Sequence, residues 1–496
     1  MSLCGLDIGT TGCKTVVYST DGKLLANAYR EYPVLHKQPG WAELDSKAVW
    51  NLVCETLGEV STACHDDPIQ SISASSLGEA MTPVTADRKI LDHSILCMDT
   101  RGKEYADQLL GKISQHDFYA INPNLVGPAY SMPKLRWIKD HNTAIYNEAD
   151  WFLTWGDFVS FMLGGNAVIC APLAARTLLF DLKNSDWSHE LLKLCALEDL
   201  TDKLPPVVPA GQITGTVSPH VADKLGLAHD VKLVAGGHDQ CCNALGAGVA
   251  QAGQAVYGIG TFECITPVFN DIPNQDVMLR AGLCIEDHVL PGKYVTFIYN
   301  QGGSLVKWFR DTFAKEMAQE VDDIYERLCD EMPEKPTTLF TLPYFEPTGP
   351  PNYVSDGPGG IVGLKSTTTR GDILKSIMES VTYYLADASD CLEAVGGLPT
   401  MFVATGGGAK SDRWLQLKAD IFGVPFIRNN TVECSALGAA MLAGIGTGLI
   451  TADTDAFIKA ERVFEPNAAN HAAYRQRLAE YQTWVKRIIT PDDTQG

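Results

Sequence analysis

The sequence lacks the features of membrane-spanning and secreted proteins. None of its 496 residues belongs to an apolar stretch of the roughly 18 residues that a membrane span requires. The N-terminus has no basic region followed by an apolar region and a cleavage site, so we expect no secretory signal. The fourteen cysteines include no Cys-x-x-Cys pair, and the adjacent Cys241 and Cys242 are poorly placed for a zinc site. We therefore expect reduced thiols and a cytoplasmic protein.

Basic residues are scarce in comparison with acidic ones. Lys and Arg together number 39 and Asp and Glu 60, which gives a net charge of −21. No basic stretch offsets this charge, so we expect no nucleic-acid partner. An acidic protein that binds a polyphosphate needs local positive potential from Mg²⁺, backbone N–H groups, helix N-termini or a few cations. Lys14 and Arg101 are candidate cations, with a solvated surface charge as the alternative for each.

The length of the chain predicts two domains, because 496 residues exceed what one hydrophobic core supports. Residues 1 to about 245 alternate strand-like and helical segments, as in an α/β domain. The same pattern resumes after the small, apolar segment that follows residue 240. We expect an N-terminal domain over 1–245 and a C-terminal domain over 246–496.

Two glycine-threonine turns stand out, one in each predicted domain. The first lies within Gly5–Lys14 and the second within Val256–Glu263. Each follows a strand-like run and leads into another, which predicts a β-hairpin. The exposed N–H groups and hydroxyls of such a turn are suited to wrap a phosphate group. Two ordinary hairpins are the alternative.

A third glycine-rich segment, Thr405–Lys410, follows the strand-like run Met401–Ala404. A helix is predicted next, with Ser411 as its N-cap and Gly423 past its end. Glycines between a strand and a helix let a flat ligand approach the backbone closely. A further strand is predicted over Val424–Ile427.

Two longer motifs resemble signatures of the FGGY carbohydrate kinases. One comprises Gly359–Leu364, then Asp372-Ile373 and Ser376–Glu379, and the other is Ser131–His141, with Ala129 in its opening position. The resemblance extends from Leu6 to about Ala443. It implies an α/β protein with two ribonuclease-H-like (actin/hexokinase-type) domains flanking a catalytic cleft, and an ATP- and Mg²⁺-dependent kinase of a sugar or polyol.

The resemblance also implies roles for individual residues. Asp7 matches the family's metal-organising carboxylate, which often acts through water. The residues that match the nucleotide site are Thr10, Thr11, Gly12 and Lys14 in the first phosphate loop, Gly260 and Thr261 in the second, Gly303 and Lys307 after it, and Gly407, Gly408 and Ser411 at the adenosine.

Asp239 is the predicted general base. It follows the strand-like run Val231–Ala235 and a glycine pair, where a side chain can be aimed into a cleft. In a hydroxyl kinase the protein mainly positions and neutralises the reactants, and a carboxylate takes the proton of the acceptor hydroxyl. The alternative is an aspartate that caps the next helix.

Gly78 and Glu79 occupy the position where the family contacts the sugar. Glycerol kinases carry an Arg-Glu pair there and xylulokinases a Met-His pair, so this sequence departs from both. A carboxylate accepts hydrogen bonds from two adjacent hydroxyls, and Gln240 is expected to join Glu79. Asp99 and Arg101 match the family's Asp-x-Arg. The alternative is that Glu79 pairs with Arg101 and only shapes the pocket.

These residues favour phosphorylation of a ketopentose such as D-xylulose, with ATP and the sugar as small-molecule partners. Another sugar, a polyol or an aldonate is the alternative, including glycerol, a tetritol and gluconate. A nucleotide-driven switch protein of the same fold group is a further alternative from another class. The sequence leaves the oligomeric state open, with a homodimer as one possibility.

Overall fold

The computed structural model describes residues 1–317, 324–354, 357–431, 433–452 and 456–488. The chain divides into two compact units. The first unit comprises Met1–Ala250, Cys284–Val295 and Glu433–Ile458, and the second comprises Gln251–Leu283, Thr296–Val432 and Lys459–Gly496. Two late segments thus belong to the first unit, which no local pattern in the sequence indicates. The boundary near residue 245 stays a prediction from the sequence.

The strands of the described residues are, in chain order, β1 Ser2–Ile8, β2 Gly12–Ser19, β3 Leu24–Glu31, β4 Glu43–Leu44, β5 Ile69–Ser76, β6 Met81–Val84, β7 Ser94–Ile95, β8 Trp151–Thr154, β9 Ile169–Cys170, β10 Phe180–Asp181, β11 Asp186–Trp187, β12 Val207–Val208, β13 Ile213–Thr216, β14 Lys232–His238, β15 Gln254–Ile259, β16 Phe262–Phe269, β17 Glu286–Asp287, β18 Tyr294–Val295, β19 Ile298–Gln301, β20 Phe340–Leu342, β21 Gly360–Val362, β22 Met401–Thr405, β23 Phe426–Asn429 and β24 Ala460–Phe464.

The α-helices of the same residues are α1 Ser46–Ala63, α2 Lys103–Leu110, α3 Gln115–Ile121, α4 Ser131–His141, α5 Thr143–Glu148, α6 Trp155–Leu163, α7 Ala171–Ala175, α8 His189–Leu194, α9 Pro219–Leu225, α10 Asp239–Gly246, α11 Gln275–Arg280, α12 Gly303–Phe313, α13 Ile324–Asp330, α14 Arg370–Ser389, α15 Asp412–Phe422, α16 Cys434–Gly446 and α17 Ala468–Ile488. Within the described ranges, no helix combines the length and apolar character that crossing a membrane requires.

The first unit is built on a six-stranded sheet in the order β13-β14-β5-β1-β2-β3. Its middle strands β14, β5 and β1 run parallel, whereas β2, β3 and β13 are antiparallel to their neighbours. Strands β1 and β5 are buried along nearly their whole length, as expected when both faces of a sheet are covered. Their carboxyl ends therefore open on one edge of the sheet.

The second unit repeats this arrangement of strands. Strand β15 is antiparallel to β16 and parallel to β22, which is parallel to β23, and β24 closes the row antiparallel to β23. On the other side β19 pairs antiparallel with β16. The succession of antiparallel and parallel pairs is the same as in the first unit, so the prediction of an α/β protein with two analogous domains is confirmed.

Several local predictions hold, and two strands differ in extent. Ser411 caps α15 by accepting a hydrogen bond from a backbone N–H, and Gly423 ends that helix in a left-handed conformation (φ 73°). Strand β14 continues past Ala235 to His238, because Gly236 lets the backbone approach β5 closely. Strand β23 begins at Phe426, two residues later than predicted, since Pro425 has no N–H to donate to a ladder.

Candidate active site

The carboxyl ends of β1, β5 and β14 bring three acidic side chains to one edge of the first sheet. Asp7 lies near the end of β1, Glu79 lies three residues beyond β5, and Asp239 follows β14 directly. Asp7 is paired in register with Ser75 on β5, whose hydroxyl donates to Asp7 Oδ1 at 2.8 Å. In open α/β sheets ligands bind outside the carboxyl ends of the parallel strands. This edge is the candidate catalytic site of the first unit.

The first glycine-threonine turn joins β1 to β2 as predicted. Its backbone is closed by the Gly9 N–H, which donates to the Gly12 carbonyl at 2.9 Å. The Tyr32 hydroxyl donates to the carbonyls of Gly9 and Gly12 at 2.7 and 3.0 Å, and these contacts stabilise the turn. Thr10 and Thr11 stand at the partly exposed tip. Lys14, on β2, reaches Glu433 with its ammonium group at 2.7 Å.

Asp7 and Asp239 influence each other's charge. Burial, together with the negative charge of Asp239, raises the pKa of Asp7 to about 7, although the hydrogen bond from Ser75 and the charge of Lys14 act to lower it. Two carboxylates that resist simultaneous ionisation favour a cation between or beside them. The edge therefore carries negative charge that a bound cation would stabilise.

Asp239 is the first residue of α10, and His238 is the N-cap. The alternative of a capping aspartate is therefore wrong. Burial raises the pKa of Asp239 above its usual range, and the charge of Glu79 adds to this, while the neighbouring His238 lowers it. His238 Nε2 lies 3.3 Å from Asp239 Oδ1. Gln240 follows Asp239 on the helix and is half-buried.

Glu79 belongs to a charged cluster that the sequence did not reveal. Arg176, directly after α7, donates its Nε to Glu79 Oε1 at 2.9 Å and its Nη2 to the same oxygen. Its Nη1 donates to Oε1 of Glu286, a fully buried residue of β17. The other oxygen of Glu286 lies 3.4 Å from His238 Nδ1. Arg176 and Glu286 are far from Glu79 along the chain and carry no motif, so no local signal points to them.

Gly78 makes room for this cluster. A Cβ atom on Gly78 would lie 3.0 Å from Arg176 Cγ and 3.2 Å from His238 Cδ2. These distances are shorter than most real Cβ contacts, so a larger residue at position 78 displaces the arginine or the histidine. Glycine at position 78 thus leaves the space that Arg176 and His238 occupy.

Asp99 and Arg101 form a separate, closed arrangement. Arg101 bonds to both carboxylate oxygens of Asp99 and to Glu43 Oε1. Its guanidinium lies over the rings of Trp41 and Trp137, at 3.7 and 4.8 Å from their centres. The alternative that Arg101 pairs with Glu79 is therefore wrong. A sugar contact by Asp99 or Arg101 stays a prediction, although most of their bonding capacity is already used.

The second turn, in the second unit, gathers the other predicted nucleotide residues. The N–H of Gly303, at the start of α12, donates to the Gly260 carbonyl at 3.0 Å, and Ser304 N–H donates to the Thr261 carbonyl at 3.1 Å. A Cβ on Gly303 would lie 2.2 Å from the Gly260 oxygen, so this contact requires glycine. Lys307 is exposed on the same helix.

The third glycine segment packs on the strand that leads into the second turn. A Cβ on Gly408 would meet the Ile259 side chain at 2.2 Å, whereas one on Gly407 would meet nothing within 4 Å. Gly407 to Lys410 form a short 3-10 helix before the cap residue Ser411. Gly260, Gly303, Gly407 and Gly408 are thus neighbours in one region of the second unit.

A buried ion pair supports the second turn. Glu263, two residues after Thr261, accepts a bond from Lys418 Nζ at 2.6 Å, and both side chains are fully buried. Tyr257 and Thr382 place their hydroxyl oxygens 3.1 and 3.2 Å from the same ammonium group. No local pattern in the sequence indicates this pair, because the two residues lie 155 positions apart.

Two family models match most of the chain. The N-terminal domain model of the FGGY family of carbohydrate kinases matches residues 2–246, and the C-terminal domain model of the same family matches residues 286–447. The chain belongs to the FGGY family of carbohydrate kinases. It is accordingly an ATP-dependent sugar kinase, which decides against the alternative of a nucleotide-driven switch protein.

Similar proteins within the family differ in substrate. A xylulose kinase of Bacillus subtilis is 28% identical, and the match covers 96% of this chain and 95% of that protein. The structure of a xylulose kinase from Rhodospirillum rubrum superposes with a TM-score of 0.88 at 25% identity, over 98% of this chain and 99% of that one. A gluconate kinase from Lactobacillus acidophilus gives a TM-score of 0.87 at 24% identity, over 98% of each chain. The predicted two-domain kinase fold is confirmed, but the fold does not separate these sugars.

The acidic residues of this kinase fit a cation that arrives with the nucleotide. Within the described ranges, no group of three or more His, Cys, Asp or Glu side chains could hold a metal ion. Mg²⁺ is commonly bound by one or two carboxylates together with substrate phosphates and water. Asp7, with its raised pKa and its neighbour Asp239, fits such a site.

Proposed function

We propose that this kinase transfers the γ-phosphoryl group of ATP to a hydroxyl of a small, uncharged sugar, and that D-xylulose is the first substrate to test. The observation that supports the proposal best is the placement of Asp239 at the carboxyl edge of the first sheet, in the same charged cluster as Glu79. The similarity to xylulose kinases favours a ketopentose among uncharged sugars.

Asp239 acts as general base in this proposal. The acceptor hydroxyl donates a hydrogen bond to its carboxylate and loses its proton there as the bond to phosphorus forms. Glu79 accepts hydrogen bonds from sugar hydroxyls. Both bonds from Arg176 go to Oε1 of Glu79, so Oε2 remains for the sugar. Gln240, next to Asp239, extends this contact.

The two turns bind the phosphates, each in its own unit. Thr10, Thr11, Gly12 and Lys14 supply N–H groups, hydroxyls and one cation, while Gly260 and Thr261 supply N–H groups and a hydroxyl. Mg²⁺ bound with ATP neutralises phosphate charge, and Asp7 would hold it directly or through water. The remaining nucleotide contacts in the second unit are assigned to Gly303, Lys307, Gly407, Gly408 and Ser411.

The charge of the cluster argues for an uncharged sugar and against an aldonate such as gluconate. Glu79, Glu286 and Asp239 are three carboxylates, and Arg176 and His238 supply at most two positive charges. An aldonate would bring a further carboxylate into a region that is already net negative. Like charges in a partly buried site repel strongly, because solvent screening is weak there.

A substrate panel tests the proposal. ADP release is measured with D-xylulose, other ketopentoses, glycerol, a tetritol and gluconate at matched concentrations. We expect turnover with a ketopentose, with D-xylulose the best substrate, and the lowest kcat/KM with gluconate. Preferred turnover of gluconate would contradict the charge argument, and no turnover of any sugar would contradict the function.

Asp239→Asn tests the role of the base. We expect kcat to fall by roughly 10²–10⁴, the usual worth of a positioned general base, with sugar and ATP binding retained. Asp223→Asn is the matched control, since Asp223 is an exposed residue of α9 that pairs with His229. Turnover of the Asp239 variant within a fewfold of wild type would remove Asp239 from this role.

A cytoplasmic location and a homodimer stay predictions from the sequence.

A further inference from the structure

A buried carboxylate stands between the proposed sugar contact and the proposed base. Glu286 is fully buried in the first unit, on a segment that lies 47 residues beyond Asp239 along the chain. One of its oxygens, Oε1, accepts a bond from Arg176 Nη1, and the other, Oε2, lies 3.4 Å from His238 Nδ1. Each oxygen therefore faces a different basic side chain.

The two partners of Glu286 lead to different parts of the site. Arg176 donates two bonds to Glu79, and its guanidinium lies over the ring of Tyr130, 4.8 Å from the ring centre. His238 places Nε2 at 3.3 Å from Asp239 Oδ1. Arg176 thus connects Glu286 to the sugar contact Glu79, and we call this connection the arginine arm. His238 connects Glu286 to the base Asp239, and we call this connection the histidine arm.

We propose that Glu286 is a positioning residue that orients Glu79 through Arg176 and Asp239 through His238, so that the sugar contact and the base are held in one fixed relation. The proposal rests on the proposed roles of Glu79 and Asp239. Glu286 itself is buried behind its partners and acts only through them.

The geometry favours this role over a purely structural one. A buried carboxylate needs partners for both of its oxygens, and a single bidentate arginine would be enough in a purely structural site. Here the partners are two basic side chains, and each continues to a carboxylate of the site. Gly78 leaves room for both partners, since a side chain at that position would press on Arg176 and His238 together.

Glu286→Gln removes the charge of Glu286 and keeps its shape. Through the histidine arm we expect kcat to fall about tenfold, and through the arginine arm we expect the sugar KM to rise about tenfold, since each tenfold change corresponds to roughly one charge-assisted hydrogen bond. The KM for ATP should stay within twofold. Glu379→Gln is the control for loss of a buried acidic group, because Glu379 is also fully buried but lies in the second unit, bonded to Thr337 and Tyr474. It should lower the melting temperature without this kinetic pattern.

Double variants separate the two arms. In a His238→Asn background, Glu286→Gln should no longer change kcat but should still raise the sugar KM. In an Arg176→Gln background, it should no longer change the sugar KM but should still lower kcat. Should the Arg176 variant not fold, Glu79→Gln replaces it, because Glu79 is the far end of the same arm. Effects of Glu286→Gln that are the same in every background, or that match those of Glu379→Gln, would overturn the proposal.

Imidazole titration gives a readout that does not depend on any sugar. The His238 signal is assigned by its loss in His238→Asn, and its pH titration is followed by NMR in wild type and in Glu286→Gln. Loss of the negative charge should lower the proton affinity of His238 about tenfold or more. An unchanged titration would overturn the histidine arm. A shifted titration in a protein that phosphorylates no sugar would instead support that arm while the proposed function fails.

Discussion

The two glycine-threonine turns both join antiparallel strands but have opposite electrostatic support. In the first unit, the turn lies beside Asp7 and Asp239, and its cation, Lys14, is half-buried and bonded to the exposed Glu433. In the second unit, the ion pair next to the turn is Glu263–Lys418, which is fully buried and turned into the core. The charged groups beside the first turn are partly exposed, so a ligand can reach them, whereas the ion pair beside the second turn is buried in the core.

The difference in burial implies different roles for the two ion pairs. A half-exposed ion pair adds little to stability, so Lys14 and Glu433 can exchange partners when a phosphate binds. A buried pair does not exchange, because an unpaired charge in the core costs several kcal/mol. We infer that the first turn supplies charge to the nucleotide and that the second supplies a rigid frame of backbone N–H groups.

The largest expected effect is that of Lys418→Met in the second unit. It leaves Glu263 as a buried, unpaired carboxylate, so the free energy of unfolding should fall by about 3–5 kcal/mol. Chemical denaturation followed by circular dichroism measures the loss. In the double variant Glu263→Leu/Lys418→Met most of the stability should return, because no charge remains in the core. A loss below about 1 kcal/mol for the single variant would show that the pair does not support the turn.

The second effect concerns Lys14→Met in the first unit, which we expect to act on binding and hardly on stability. The free energy of unfolding should change by less than about 1 kcal/mol, as for exposed ion pairs. The KM for ATP should rise about tenfold, which corresponds to one charge-assisted contact with phosphate. Lys47→Met, on the exposed face of α1, is the control. A rise in the sugar KM instead of the ATP KM would remove Lys14 from the phosphate site.

Both turns could be predicted from the sequence, but their charge support could not. Gly-Thr between two apolar runs is a local pattern, and so is a helix-like segment after Asp239, although α10 begins at Asp239 itself. Lys418 meets Glu263 and Arg176 meets Glu79 only because sheet topology joins segments about a hundred or more positions apart. The alternative of a link between Glu79 and Arg101 is wrong for a related reason. Both residues are charged and close in sequence, but Arg101 is enclosed by Asp99, Glu43 and two tryptophans.

A third effect is expected in the pH dependence of kcat/KM for the sugar, which depends on the charged groups around Asp239 in the first unit. The charged groups that face Asp239 are His238, Glu79 and Asp7, and burial together with Glu79 raises the pKa of Asp239. The base must be ionised, so kcat/KM for the sugar should fall as pH falls through a pKa above the ordinary aspartate range. Glu79→Gln removes a negative charge, lowers the pKa of Asp239 and should move this acid limb to lower pH. An acid limb that stays in place would show that Glu79 does not act on the base.

The smallest effect is expected for Glu433→Gln, and its sign distinguishes two roles of the Lys14–Glu433 pair. If Glu433 competes with phosphate for Lys14, its loss frees the lysine, and the KM for ATP should fall twofold to fivefold. If Glu433 instead holds Lys14 in its binding position, the KM for ATP should rise. We expect the fall, because the pair must open before the ammonium group can reach a phosphate, and opening an exposed pair costs only about 0–1 kcal/mol.

The difference in the KM for ATP between variant and wild type should shrink as salt rises from about 0.05 to about 0.5 M, since ions screen an exposed pair. Stability should remain unchanged, which contrasts with the buried pair of the second unit. A rise in the ATP KM, or a difference that persists at high salt, would mean that the first turn also depends on a fixed ion pair.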